Sequence, residues 1–93
     1  MAHAVTVSLP RVLVQLVGGE PTIQVRGATL GEALQDLIRQ RPALRVHLFD
    51  EGGDMRRHIL CFYNDSYTRG REGLDVPVKA GDAITILNSM SGG

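Results

Sequence analysis

Alternating apolar and polar residues near both ends of the chain predict β-strands. In residues 3–9, HAVTVSL, three aliphatic side chains share one face and two hydroxyl side chains share the other, which is typical of a half-buried strand. Residues 22–27, TIQVRG, and residues 83–88, AITILN, show similar alternation. Residues 59–63, ILCFY, predict a further strand, which ends at the turn residues Asn64 and Asp65.

Residues 28–42, ATLGEALQDLIRQRP, predict the main helix. Thr29 followed by Glu32 fits a capping box at its start, and Pro42 disfavours helix at Arg41. The apolar residues recur at helical spacing and form one stripe: Leu30, Ala33, Leu34, Leu37 and Ile38. The strand order around one helix predicts an α+β domain over residues 1–88, in which the helix covers one face of a small mixed sheet.

Other segments give weaker patterns. Residues 11–17, RVLVQLV, fit either a strand piece or a short helix that follows Pro10 and precedes Gly18. Residues 43–49 fit a short helical or extended piece, and residues 50–58 form a polar loop. We expect residues 71–82 to be mostly irregular, with two valines in contact with the core, Val76 and Val78.

The ILCFY strand is apolar on both faces, although one helix can cover only one of them. Leu60 and Phe62 point away from the face that holds Cys61. If the last strand is its neighbour, Leu87 joins them in an exposed apolar patch, a feature that often marks a partner surface. The alternative is that residues 66–82 fold over the patch.

The composition excludes several classes of function. The 93 residues contain ten Lys+Arg and ten Asp+Glu, so the formal net charge is zero, which argues against a nucleic-acid partner. No apolar run approaches a membrane span and the N-terminus lacks the features of a signal peptide, so we expect no membrane partner and a cytoplasmic location.

Few residues suggest chemistry within the domain. Three scattered histidines, His3, His47 and His58, lack zinc-ligand spacing, so we expect no metal site. Cys61 lies between Leu60 and Phe62 in a strand, which favours a buried, unreactive thiol. The basic runs MRRH and TRGRE fit a solvated face or a contact for an acidic partner.

The chain finishes on NSMSGG, whose first residue, Asn88, closes the last predicted strand. Glycine has no Cβ and adopts backbone angles closed to other residues, so a diglycine end can enter a narrow channel. We predict that residues 89–93 form a flexible tail, in which Met90 and Ser91 lead to Gly92 and Gly93. The tail would present its terminal carboxylate to the active site of another protein.

This combination resembles a β-grasp sulfur carrier of the ubiquitin-like MoaD/ThiS family. The resemblance rests on TLGEALQDL, FYND, KAGDAITIL and the terminal diglycine, and it spans nearly the whole chain. It implies a ubiquitin-like fold with four to five strands. The opening VTVSLP and the ITIL strand look most like the branch that serves a dedicated cysteine synthase.

The resemblance implies that the protein is a cosubstrate and not an enzyme. An E1-like partner would use ATP to adenylate the Gly93 carboxylate, sulfur would replace the adenylate, and a sulfur-accepting synthase would take the sulfur. The carrier itself would bind no cofactor. Phe62 and Leu87, with Leu60, would form the partner-binding patch.

Two departures from the family keep alternatives open. Molybdopterin-type carriers usually have prolines shortly before the diglycine, whereas this chain has Asn88 and Ser89, which weakens an assignment as the small subunit of molybdopterin synthase. The frequent Val-Asn pair of the third strand is replaced here by Tyr63 and Asn64. An interaction or conjugation module that transfers no sulfur is the remaining alternative.

Overall fold

Five strands form one mixed sheet in the order β2-β1-β5-β3-β4. The structure is a computed structural model and describes residues 2–68 and 71–88. The strands are β1 (His3–Ser8), β2 (Thr22–Gly27), β3 (Ile59–Tyr63), β4 (Ser66–Thr68) and β5 (Ala83–Asn88). Only β1 and β5 pair in parallel, and the other three neighbouring pairs are antiparallel. The predicted α+β, β-grasp architecture is confirmed.

The main helix, α2 (Leu30–Gln40), begins at the predicted cap. The Thr29 hydroxyl oxygen accepts the Glu32 backbone N–H at 3.2 Å. The Glu32 carboxylate accepts the Ala28 N–H at 2.9 Å, one residue before the position in the usual capping box. Its buried stripe of Leu30, Ala33, Leu34 and Leu37 packs on the sheet. At Gly27 a Cβ atom would lie 2.5 Å from the Ala33 nitrogen, so this residue lets helix and strand approach closely.

The ambiguous segments are helical. Residues 11–17 form α1 (Arg11–Val17), which ends at Gly18 with a φ of 77°, a backbone angle that glycine accepts without strain. A 3₁₀ turn, Pro42–Leu44, leads into α3 (Arg45–Leu48), and both segments end on fully buried leucines. A second 3₁₀ helix spans Arg71–Asp75.

Two sequence expectations need correction. The strand β4 was not anticipated: its three residues are too short for a periodic signal, and they pair with β3 because the Asn64-Asp65 turn reverses the chain. Val78 is buried as expected, but Val76 is only half-buried. Val76 holds the start of α2 through its backbone instead, because its carbonyl oxygen accepts the Leu30 N–H at 2.9 Å.

Helix α2 also occupies part of the free edge of β2. The Arg26 backbone N–H donates to the Asp36 carboxylate at 2.9 Å, and the Gln40 side-chain amide donates to the Gln24 carbonyl oxygen at 2.9 Å. The Arg39 guanidinium holds Asp36 from the solvent side. An edge strand that already has two of its outward backbone groups bonded offers fewer of them to a further strand.

The two motifs FYND and KAGDAITIL meet at one end of the sheet. The Tyr63 hydroxyl donates to the Asp82 carboxylate, which also accepts the Lys79 N–H at 2.7 Å. Asn64 and Ala83 exchange two hydrogen bonds, one of them from the Ala83 N–H to the Asn64 side-chain oxygen at 3.0 Å. We call the Tyr63–Asp82 contact the latch. It ties the end of β3 to the start of β5.

The latch makes stability depend on pH. Its hydrogen bond from Tyr63 lowers the pKa of Asp82, and the Lys79 N–H acts in the same direction. Folded Asp82 therefore binds a proton less tightly than unfolded Asp82. This contribution is present above about pH 4, the ordinary range of an aspartate, and is lost as the pH falls further.

We expect Asp82→Asn to lower the free energy of unfolding at neutral pH, because the amide is a weaker acceptor for Tyr63 than the carboxylate. The difference from the unaltered protein should shrink as the pH falls below about 4. Denaturant unfolding at a series of pH values measures this, with Asp75→Asn as a control at an exposed aspartate. Parallel stability curves for the unaltered protein and Asp82→Asn would contradict the role of the latch.

Candidate functional site

The face of the sheet opposite α2 carries a compact apolar patch. Leu60 of β3 lies directly opposite Leu87 of β5, and Phe62 lies opposite Thr85. Their neighbours along the strands, Cys61 and Ile86, are opposite each other and buried on the helix-covered face. Leu87 is 42% exposed, whereas Leu60 and Phe62 are half-buried.

Tyr67 of β4 extends the patch. It lies opposite Phe62, and the two tilted rings have centroids 5.5 Å apart, a geometry that favours aromatic pairs. Tyr67 is 47% exposed. Tyr67 was not predicted, because a strand of three residues has no periodic pattern; the sequence clue to it is the Asn64-Asp65 turn, which reverses the chain. We call Leu60, Phe62, Tyr67 and Leu87 the tail-side patch.

The described part of the connection from β4 to β5 does not cover this patch. The Val76 carbonyl oxygen accepts the Leu30 N–H at 2.9 Å, and the Val78 N–H donates to the Ala28 carbonyl oxygen at 3.1 Å, so both valines are bonded to the start of α2. Leu74 contacts Gly31 of the same helix. Residues 71–78 therefore pack beside α2, on the other side of the sheet.

Strand β5 ends beside the tail-side patch. Asn88, the last residue of β5, pairs with Ile59 at the start of β3. The predicted reacting residue Gly93 and the predicted tail residues Gly92, Ser91 and Met90 lie outside the described residues. Five residues beyond Asn88 span at most about 17 Å when fully extended.

Cys61 does not offer a nucleophile. Its side chain is 2% exposed, and burial raises the pKa of the thiol against a smaller opposite effect of Thr68. Because the thiolate is the reactive form, this thiol is poorly suited to carry sulfur. Residues 2–68 and 71–88 also contain no group of three potential metal ligands among their His, Cys, Asp and Glu side chains.

The described helices include none with the length and apolar character needed to cross a bilayer. The longest, α2, has 11 residues and one polar face.

Comparison with known proteins gives consistent results for sequence and structure. The chain is 33% identical to the sulfur carrier protein CysO of Mycobacterium tuberculosis over 91 residues, which cover 96% of this chain and 98% of that protein. The crystal structure of the Amycolatopsis orientalis BexX/CysO complex contains a chain that matches with a TM-score of 0.81 and 37% identity, covering 97% of this chain and 100% of the other.

An archaeal protein shares the same fold. The crystal structure of SAMP1 from Haloferax volcanii matches with a TM-score of 0.82 and 28% identity, covering 97% of this chain and 99% of the other. Residues 7–93 match the ThiS family, a span that begins in β1 and includes the other four strands and the terminal glycines. The chain therefore belongs to the ThiS family.

Proposed function

We propose that the protein is a sulfur carrier that bears sulfur as a thiocarboxylate on Gly93. The observation that carries this proposal is the family match over residues 7–93, which runs through the diglycine end. The similarity to CysO proteins, themselves named sulfur carriers, supports it. The buried thiol of Cys61 supports it further, because it leaves the terminal carboxylate as the better candidate for sulfur attachment.

The chemistry requires activation because a free carboxylate is a poor electrophile. A Gly93 carboxylate oxygen attacks the α-phosphorus of ATP, and pyrophosphate leaves. Sulfur at the oxidation level of hydrosulfide then attacks the acyl carbon, so that a C–S bond forms and the C–O bond to AMP breaks. No net oxidation or reduction occurs, and the product is the thiocarboxylate.

Within this proposal the domain is a cosubstrate, and catalysis belongs to its partners. An E1-like adenylating enzyme supplies the ATP site, and a second enzyme accepts the sulfur. The tail-side patch lies where the chain leaves the sheet, so a partner seated on it has the tail within reach. The carrier holds no cofactor of its own, and it works in the cytoplasm, where ATP is available.

We further propose that the acceptor makes cysteine or a related thio-metabolite. The basis is the 33% identity to CysO over nearly the whole chain and the 37% identity to the chain from the BexX/CysO complex. The absence of prolines at Asn88 and Ser89 argues against a permanent place in molybdopterin synthase.

The test is a reconstitution of sulfur loading. A chain that ends at Gly93 is incubated with ATP, sulfide and candidate E1-like enzymes, and its intact mass is measured. The expected result is exchange of one oxygen for one sulfur at the C-terminus, dependent on ATP. An unchanged mass with every enzyme that loads other ThiS-family carriers would refute the proposal.

A second candidate function is attachment to other proteins through the same carboxylate. The specific observation is 31% identity over 80 residues to small archaeal modifier protein 1 of Haloferax volcanii, which cover 83% of this chain and 87% of that protein. Isopeptide-linked Gly93 on lysines of other proteins would favour conjugation. Their absence in cells that accumulate the thiocarboxylate would favour the sulfur carrier alone.

A further inference from the structure

The open face of the described strands carries no carboxylate. The chain has ten acidic residues, yet none occupies a strand position that points away from α2. Those positions hold aliphatic, aromatic, hydroxyl and amide side chains, and Arg26 is the one cation among them. The full set is Ala4, Thr6, Ser8, Thr22, Gln24, Arg26, Leu60, Phe62, Tyr67, Ala83, Thr85 and Leu87. This face therefore has no negative charge of its own to repel an acidic partner.

A cation stands beside the tail-side patch. Arg57 is exposed, and it has no ion pair or side-chain hydrogen bond with another residue of the two described ranges. It comes two residues before Ile59, which pairs with Asn88 at the point where the chain leaves the sheet. Its guanidinium group is therefore available to a binding partner at the end of the sheet where β5 ends.

Arg57 and Tyr67 line the same small cleft, which has a volume of about 200 Å³. The remaining lining residues are Asp54, Met55, Arg56, Ile59 and Thr68. Arg56 is already engaged, because its Nε donates to the Val46 carbonyl oxygen at 2.8 Å. Two arginines and one aspartate thus line the cleft, and Tyr67 belongs both to this lining and to the tail-side patch.

We propose that Arg57 is a docking contact for an aspartate or glutamate side chain of the E1-like enzyme, at the edge of the tail-side patch. This inference rests on the proposed sulfur-carrier function and deepens it by naming the chemistry of the partner's surface. A guanidinium binds a carboxylate through two parallel hydrogen bonds, and Tyr67 supplies an aromatic wall beside that pair. Charges at the rim of an interface act mainly on the association rate.

The test measures the second-order rate constant of sulfur loading for the full chain, with the enzyme that loads the unaltered protein. Arg57→Glu should lower this constant about tenfold or more at low ionic strength, because attraction is replaced by repulsion. The loss should shrink toward 1 M salt, where the screening length falls to about 3 Å. The Arg57→Lys variant should lose much less of the rate constant than Arg57→Glu, because it keeps the positive charge.

Arg26→Glu is the matched control. It makes the same change of charge at another exposed arginine, which lies on the open face near the opposite end of the sheet, where Arg26 pairs with Ala4. We expect Arg26→Glu to change the rate constant of sulfur loading by less than twofold. An aspartate or glutamate of the enzyme changed to arginine should restore loading of the Arg57→Glu chain.

Two outcomes would overturn the inference while leaving the proposed function intact. In the first, the unaltered protein is loaded and Arg57→Glu behaves like Arg26→Glu at every salt concentration. In the second, Arg57→Glu lowers loading equally at low and high salt, which indicates a structural defect. If the unaltered protein is never loaded, the proposed function itself fails, and the salt series is not needed to show it.

Discussion

Deletion of Gly93 alone is expected to reduce sulfur loading at least about a hundredfold. The shortened chain still ends in a glycine carboxylate, so its chemistry is unchanged, but the reacting carbon is withdrawn by roughly 3.4 Å. A misplacement of about 1 Å at a reacting centre already costs on the order of a hundredfold in rate. Intact-mass measurement of the thiocarboxylate over time, with ATP and sulfide in excess, gives the comparison.

The control for this deletion is Met90→Ala. It changes a tail side chain while it preserves the length of the tail and the terminal glycine, so loading should stay within a few-fold of the unaltered protein. If the Gly93 deletion is loaded as fast as the unaltered protein, the sulfur is not carried on the Gly93 carboxylate.

Phe62→Asp should raise the KM for the E1-like enzyme about tenfold or more and leave the domain folded. Phe62 contributes an aromatic surface to the tail-side patch next to Tyr67, and a carboxylate there must be desolvated when the partner binds. Loss of a central aromatic anchor costs about 2 kcal/mol or more in many interfaces, and each 1.4 kcal/mol is about tenfold in affinity.

Gln24→Asp is the matched control, because it adds the same carboxylate to an exposed position of β2 on the same face. Circular dichroism and thermal unfolding must show that both variants are folded. If Phe62→Asp unfolds the protein, Phe62 belongs to the core. A folded Phe62→Asp variant with an unchanged KM would remove the patch from the proposed interface.

The sequence predicted the parts of the fold that follow from strong periodicity. The capped helix α2 and the alternation in β1 and β5 each depend on local chemistry that repeats over six or more residues, so their patterns stand out. The position of Leu60 opposite Leu87 also followed, once β3 and β5 were assumed to be neighbours. The pattern of residues 11–17 could not decide between helix and strand, because five of these seven residues are aliphatic and they fit neither periodicity alone.

Other features depend on tertiary contacts, which a local sequence pattern does not predict. Tyr67 belongs to a three-residue strand that exists only because β3 lies beside it. Arg57 looked like part of an ordinary basic run, and only the register of β3 against β5 put it near the start of the tail. The edge closure by Asp36 and Gln40 joins α2 to β2 through contacts ten and sixteen residues apart in sequence.

The central position of β5 has a mechanical consequence. This strand is flanked by β1 on one side and β3 on the other, so a force applied to the chain end is shared by two hydrogen-bonded ladders. A pull along the strand would load those bonds together in shear instead of opening them one after another. The end of β5 can therefore bear such a pull without unravelling the domain.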